Sequence, residues 1–206
     1  MISNKPLPHS FILVFQMIRP FLHRLLFCGA LLASAGSATV LSSCNTTPSY
    51  LKQYEEHREQ QKTLDDASIM KYLTDNNIKN YTRTESGLYL VPVTDAPAGT
   101  ATIEKGQRVE TQYIGKFIND GVLGTTFDSS YDNRTPCQCF QVVAGDGNVI
   151  KGWDEALLLM KPGDRKLLLI PSGLAYGFSD GTSSPPANIG PDRVLQFDMI
   201  VTKRIN

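Results

Sequence analysis

From Leu88 onward, segments in which apolar residues recur at every second position are joined by one short stretch of helical spacing. That combination restricts the chain to a small set of folds. In RVETQYIGKF (108–117), Val109, Thr111, Tyr113 and Phe117 alternate with Glu110, Gln112 and Lys116. In VLQFDMIVTK (194–203), Leu195, Phe197, Met199 and Val201 alternate with Gln196, Asp198 and Thr202. Such a period marks strands that bury one face. LYLVPV, FQVVA (140–144) and RKLLLIP (165–171) read as further half-buried antiparallel strands. Over 153–160, Trp153, Ala156, Leu157 and Met160 instead fall at i, i+3, i+4 and i+7, and Lys161-Pro162-Gly163 ends the helix they imply. A single short helix covers several strands only if the sheet curves over it. The expected class is therefore α+β, a curved antiparallel β-sheet wrapped around one short α-helix.

The remaining length has a different character. The first 44 residues contain no acidic side chain, and 25–41 (LLFCGALLASAGSATVL) are apolar or small, preceded by Arg19 and Arg24. A basic start, an apolar middle and small residues before a cleavage point make a secretory signal. As a membrane span the run is near the lower limit and is diluted by Gly, Ser and Thr. It ends in LSSC, Leu41 to Cys44, which resembles the bacterial lipobox, in which the chain is cut before a cysteine that then carries lipid. Met17 opens MIRPFLHRLL, a compact signal start on its own, and translation is expected to begin there. These features divide the chain into a signal peptide (1–43), a tether (44–64), a helical extension (65–86) and the principal domain (87–206). Residues 45–63 are polar and charged, with few apolar contacts such as Leu51 and Tyr54. DDASIMKYLTDNN (65–77) has capping aspartates, a partly apolar face in Ile69, Met70, Tyr72 and Leu73, and a stop at Asn76-Asn77. The expected location is the bacterial cell envelope, with lipid on Cys44 anchoring the protein to a membrane, most naturally the outer membrane facing the periplasm.

With 20 basic and 20 acidic residues in balance, nothing points to nucleic acid. Of the cysteines, Cys28 leaves with the signal and Cys44 is the lipid site. Cys137 and Cys139 remain in PCQC, a loop. An exported chain permits a disulfide there, though a ring closed across one residue is strained. Two thiols without nearby His or Cys fall short of a zinc site, so no metal is expected.

In order along the chain, VETQYIGKF, TTFDSSYDN, VIKGWDEALLLMKPGDRK, IPSGLAYG and VLQFDMIV resemble the FKBP family of peptidyl-prolyl isomerases. The resemblance runs from about Gly87 to Arg204. It implies an apolar pocket walled by Tyr113, Phe127, Val149, Ile150, Tyr176 and Phe197, with Trp153 as its floor and Asp128 beside it. It further implies that the Ile150 N–H and the Tyr176 hydroxyl bind substrate or inhibitor carbonyls, and that Ile189 lies on the rim. Two registers compete before Val149. One puts Cys137 and Cys139 where pocket aromatics sit; the other, which keeps strand alternation and the Gly145-Asp146-Gly147 turn, puts Phe140 and Val142 there. The family arginine that pairs with the aspartate falls on Asn133, with Arg134 next. The stretches 115–127 and 176–189 are longer than common family spacing. Implied partners are proline-containing polypeptides and the macrolide inhibitors of the family.

The chemistry implied needs no cofactor and no covalent catalyst. His57 lies in the tether and His9 and His23 in the signal, so no Ser/His/Asp set forms. Rotation about Xaa-Pro faces a barrier of ~18–20 kcal/mol because the amide has double-bond character. A pocket that fits the twisted amide better than the planar one lowers that barrier. The same groove could instead serve a non-catalytic chaperone or peptide-binding module. Asp128 could also be a turn cap, and Ser129 and Ser130 are turn hydroxyls.

Overall fold

The two clearest alternating segments pair with each other. β3 (Arg108–Asn119) and β7 (Val194–Ile205) run antiparallel from Arg108 opposite Ile205 to Ile118 opposite Val194. The structure is a computed structural model that describes residues 48–132, 137–178 and 185–205. The other elements in chain order are α1 (Ser49–Asp75), β1 (Thr82–Arg83), β2 (Tyr89–Thr94), β4 (Val122–Ser129), β5 (Phe140–Val143), α2 (Lys151–Leu158) and β6 (Arg165–Ile170). The antiparallel sheet has the order β1-β2-β6-β7-β3-β4, and β5 also pairs with β3. The outer edge of β3 is thus shared: Arg108–Thr111 pair with β5 and Ile114–Asn119 with β4.

α2 supplies the inner core. Ala156, Leu157 and Met160 are fully buried against Leu168, Ile170, Leu195, Met199 and Val201. Its first turn approaches β6 closely because Gly152 has no side chain; a Cβ there would lie 2.6 Å from Ile170 Cγ2. Asp154 holds the preceding turn, accepting the N–H of Gly145 at 3.0 Å and of Gly147 at 2.7 Å. At the exit the buried Asp164 accepts from the N–H groups of Lys161 and Ala96.

Two expectations need correction. β6 is not half-buried: Leu168 and Ile170 face α2, whereas Leu169 packs on the opposite face with Tyr89, Val91, Ile118 and Val194. Ile69, Tyr72 and Leu73 of α1 cover that second face. Burial on both sides explains why β6 reads as a run of leucines rather than an alternation. The second correction concerns the tether. Residues 44–47 and Cys44 lie outside the described residues, but from Ser49 the chain is helical, without a break near residue 64. Ion pairs one turn apart, Lys52 with Glu56 and Lys71 with Asp75, support this long, mostly exposed helix. β4 carries no strand signal in the sequence. Its pattern has no buried face, so no alternation marks it.

Polar contacts fasten α1 to β1 and β2. Asp66 accepts from Arg83 Nε at 3.0 Å and from the Tyr89 hydroxyl at 2.6 Å. Burial, then the Asp66 hydrogen bond, pushes the Tyr89 phenol up to about 12.

Leu73 is 1% exposed beneath the sheet. Leu73→Ala should therefore cost about 2–5 kcal/mol in urea denaturation, with the far-UV spectrum of the folded state unchanged.

Candidate active site

Along β3 the inward positions after Thr111 are Tyr113 and Gly115, and β7 brings Phe197 directly opposite Gly115. Trp153 enters from the first turn of α2, 4% exposed. The rings meet edge to face: Trp153 lies 4.8 Å from Tyr113 and 5.1 Å from Phe197, centroid to centroid. Phe127 on β4 extends the group, 5.5 Å from Phe197 and 4.8 Å from Phe117. On the other side Phe140 of β5, 40% exposed, lies 6.2 Å from Tyr113 and 6.1 Å from Trp153. Each such edge-to-face pair stabilises by about 0.5–1.5 kcal/mol beyond its burial.

Gly115 makes this convergence possible. A Cβ at that position would lie 2.8 Å from Phe127 and 2.9 Å from Phe197. The close packing of the two phenyl rings occupies the space a side chain would fill. Neither Gly115 nor Phe117 was singled out as a site residue from sequence. The available signal was their place two and four residues beyond Tyr113 on the same inward alternation.

The polar members gather at one edge. The Tyr113 hydroxyl donates to Asp128 Oδ2 at 2.8 Å, and the other carboxylate oxygen accepts the Ser129 N–H at 2.8 Å. Asp128 is therefore both a turn partner and the acceptor of the Tyr113 hydroxyl. Burial, followed by the Asp128 hydrogen bond, holds the Tyr113 phenol well above its ordinary range. Tyr176 is raised too, by burial and then by the charge of Asp128. Both therefore remain protonated donors at neutral pH. Ser130 Oγ accepts the buried Tyr113 N–H at 3.0 Å, beside the Ile114–Ser129 pairing of β3 and β4. Trp153 Nε1–H is buried without an acceptor among the described residues. Such an orphan costs about 1–3 kcal/mol, an unusual expense for a tryptophan that only fills a core.

Val149 and Ile150 lead into α2 and are partly buried against the same cluster. The Ile150 carbonyl accepts from Trp153 N and Asp154 N, which starts the helix. Tyr176 is 38% exposed, just after a 3-10 turn at Ser172–Leu174. Val142 and Ile189 are buried at 5% and 6% in the same core cluster, so Ile189, expected on a pocket rim, is enclosed. The pairing of β5 sets Phe140 opposite Thr111 and Val142 opposite Val109. Cys137 and Cys139, just before it, form a disulfide with each other. Asn133 and Arg134 lie outside the described residues.

Residues 99–201 match the model of the FKBP-type peptidyl-prolyl cis-trans isomerase family. Fkbp12 of Drosophila melanogaster is 36% identical over 118 residues, covering 57% of this chain and 97% of that protein. The chain belongs to the FKBP-type peptidyl-prolyl cis-trans isomerase family. Two other FKBP relatives are far longer. FK506-binding protein 5 of Dictyostelium discoideum is 40% identical over 50% of this chain, which spans 6% of that protein. FKBP9 of Mus musculus is 40% identical over 48% of this chain, spanning 16% of that protein. Among solved structures, AtFKBP13 superposes with a TM-score of 0.52 at 29% identity, over 62% of this chain and all, 100%, of that one. A peptidyl-prolyl cis-trans isomerase of Pseudomonas syringae pv. tomato shares the fold, with a TM-score of 0.53 at 21% identity, over 72% of this chain and 96% of that one.

The crowding at Gly115 in the FKBP domain gives a test. Gly115→Ala should force Phe127 and Phe197 apart and lower stability by about 1–3 kcal/mol, the usual penalty of overpacking. Thermal unfolding measures the stability loss, and near-UV circular dichroism should report the rearranged rings.

Proposed function

We propose that this chain is a peptidyl-prolyl cis-trans isomerase that accelerates Xaa-Pro rotation in exported proteins, acting by non-covalent binding. The observation that carries the reading is the convergence of Tyr113, Phe127, Phe140 and Phe197 on and around Trp153, with the tyrosine–aspartate pair at its edge. In the twisted amide the nitrogen lone pair leaves conjugation and the carbonyl becomes less polar. An aromatic surface therefore disfavours the planar form more than the twisted one. Each ~1.36 kcal/mol of that difference is tenfold in rate. In this reading Trp153 is the floor, Tyr113, Phe127, Val149, Ile150, Tyr176 and Phe197 are walls, and Phe140 extends the surface at its exposed end. Val142 and Ile189 support the walls from the core. The Ile150 N–H and Tyr176 hydroxyl hold substrate carbonyls, and Asp128 orients Tyr113. The family's macrolide inhibitors would occupy the same surface.

The chain is further read as a bacterial lipoprotein, anchored through Cys44 and held in the cell envelope on the periplasmic side of the outer membrane. Support comes from the run at 25–41 and the LSSC sequence alone. No helix among the described residues is long and apolar enough to cross a membrane.

A protease-coupled or NMR exchange assay on an Xaa-Pro peptide tests the function. Phe127→Ala and Tyr176→Phe should each lower kcat/KM several-fold while the far-UV spectrum stays native. Wild-type rates in both variants would overturn the site assignment. Tight peptide binding by the wild-type chain without acceleration would instead identify a non-catalytic binding module. Cys44→Ala should abolish lipid labelling in a bacterial host, and continued labelling would remove the anchor.

A further inference from the structure

Tyr176 is one of the most exposed of the proposed pocket residues, and it sits on a loop rather than a strand. Its own packing does little to fix it, yet a site works only if its groups are held in place. The structure holds this loop from outside the FKBP sheet, by α1.

Asp65, on the tract of α1 before its apolar face, is 2% exposed. Its Oδ2 accepts from Ser172 N at 2.8 Å and from Ser172 Oγ at 2.6 Å, while Oδ1 accepts from Gln61 Nε2 at 2.7 Å. The Ser172 carbonyl in turn accepts the N–H groups of Ala175 at 2.9 Å and Gly177 at 2.8 Å, closing the backbone on both sides of Tyr176. From the far side, the Gly177 carbonyl accepts the Asp192 N–H at 3.0 Å. The Asp192 carboxylate lies 3.0 Å from His57 Nε2, and the His57 ring lies 4.1 Å from that of Phe178. Both ends of the Tyr176 loop are therefore tied to one helix, Ser172 through Asp65, and Gly177 and Phe178 through His57.

Stability alone does not explain this arrangement. Ile69, Tyr72 and Leu73 already dock α1 to the sheet, all C-terminal to Asp65. Burying a carboxylate is expensive even when it is well hydrogen-bonded. Burial pushes the Asp65 carboxyl above its usual range against the pull of its donors. A helix needed only as a cover for the sheet would place an apolar residue there.

We infer that α1 is a positioning element of the isomerase site, with Asp65 and His57 as positioning residues that hold the Tyr176 loop in its binding geometry. The inference rests on the isomerase reading of the pocket for its effect on turnover. The hold on the loop itself does not depend on that reading.

The experiment compares full-length wild type with Asp65→Ala, Asp65→Asn, His57→Ala and Leu73→Ala. It reads kcat/KM on an Xaa-Pro peptide, hydrogen exchange at the Ala175 and Gly177 amides, and thermal stability. Asp65→Ala should speed exchange at both amides and lower kcat/KM about tenfold, as small displacements of binding groups do. Asp65→Asn, which keeps an oxygen to accept from Ser172, should recover most of both. His57→Ala should speed exchange at Gly177 with a smaller loss of turnover. Leu73→Ala should lose stability while keeping kcat/KM and the exchange at both amides. Wild-type exchange in Asp65→Ala overturns the inference, as does an equal loss of turnover in Leu73→Ala. If Asp65→Ala does not fold, Ser172→Ala and His57→Ala decide it by the same exchange readout. An inactive wild-type chain would sink the isomerase reading, while the exchange data would still decide whether α1 holds the loop.

Discussion

The sheet is covered on both faces around β6, and much of the rest of the molecule follows from that. A strand such as β6 cannot leave Leu168 and Ile170 on one side and Leu169 on the other unless something apolar covers each. α2 meets the first demand and α1 the second. Desolvating two faces contributes on the order of 25 cal/mol for each square ångström of apolar surface removed from water. Packing on both sides also fixes the register of β6 and β7, because a slip of one residue would send every side chain to the wrong layer.

The candidate pocket grows out of the same inner layer. Trp153 belongs both to the core face of α2 and to the aromatic group that faces outward. Ala156, Leu157 and Met160 continue the buried side below it. The rings can close around it because Gly115 contributes no side chain and Gly152 lets the helix start against Ile170. The cluster is largely aromatic, and one of its polar contacts is the Tyr113–Asp128 pair. The FKBP family match covers this layer. The first-listed relatives carry it within much longer proteins, so the domain is common to chains of very different size.

Much of this was legible in the residue order. Alternation in β3 and β7 and the helical spacing of Trp153, Ala156, Leu157 and Met160 identify the fold class, since each is a local geometric period. Five motifs in sequence order name the family and, by resemblance, its pocket residues. β4 was not legible, because an edge strand with no buried face carries no alternation. Nor was the long α1, whose polar first half meets Phe178 and Asp192 through His57 and whose Asp65 meets Ser172, all more than a hundred residues away.

Residue order alone determined the antiparallel strands, the buried face of α2 and the family, because backbone period and motif spacing are short-range properties. Tertiary structure alone decided which strands are covered twice, that Gly115 seats two phenyl rings, and that Asp65 meets Ser172 across the fold. Those are contacts between residues far apart in the chain, and neither composition nor period records which distant partner a side chain will find.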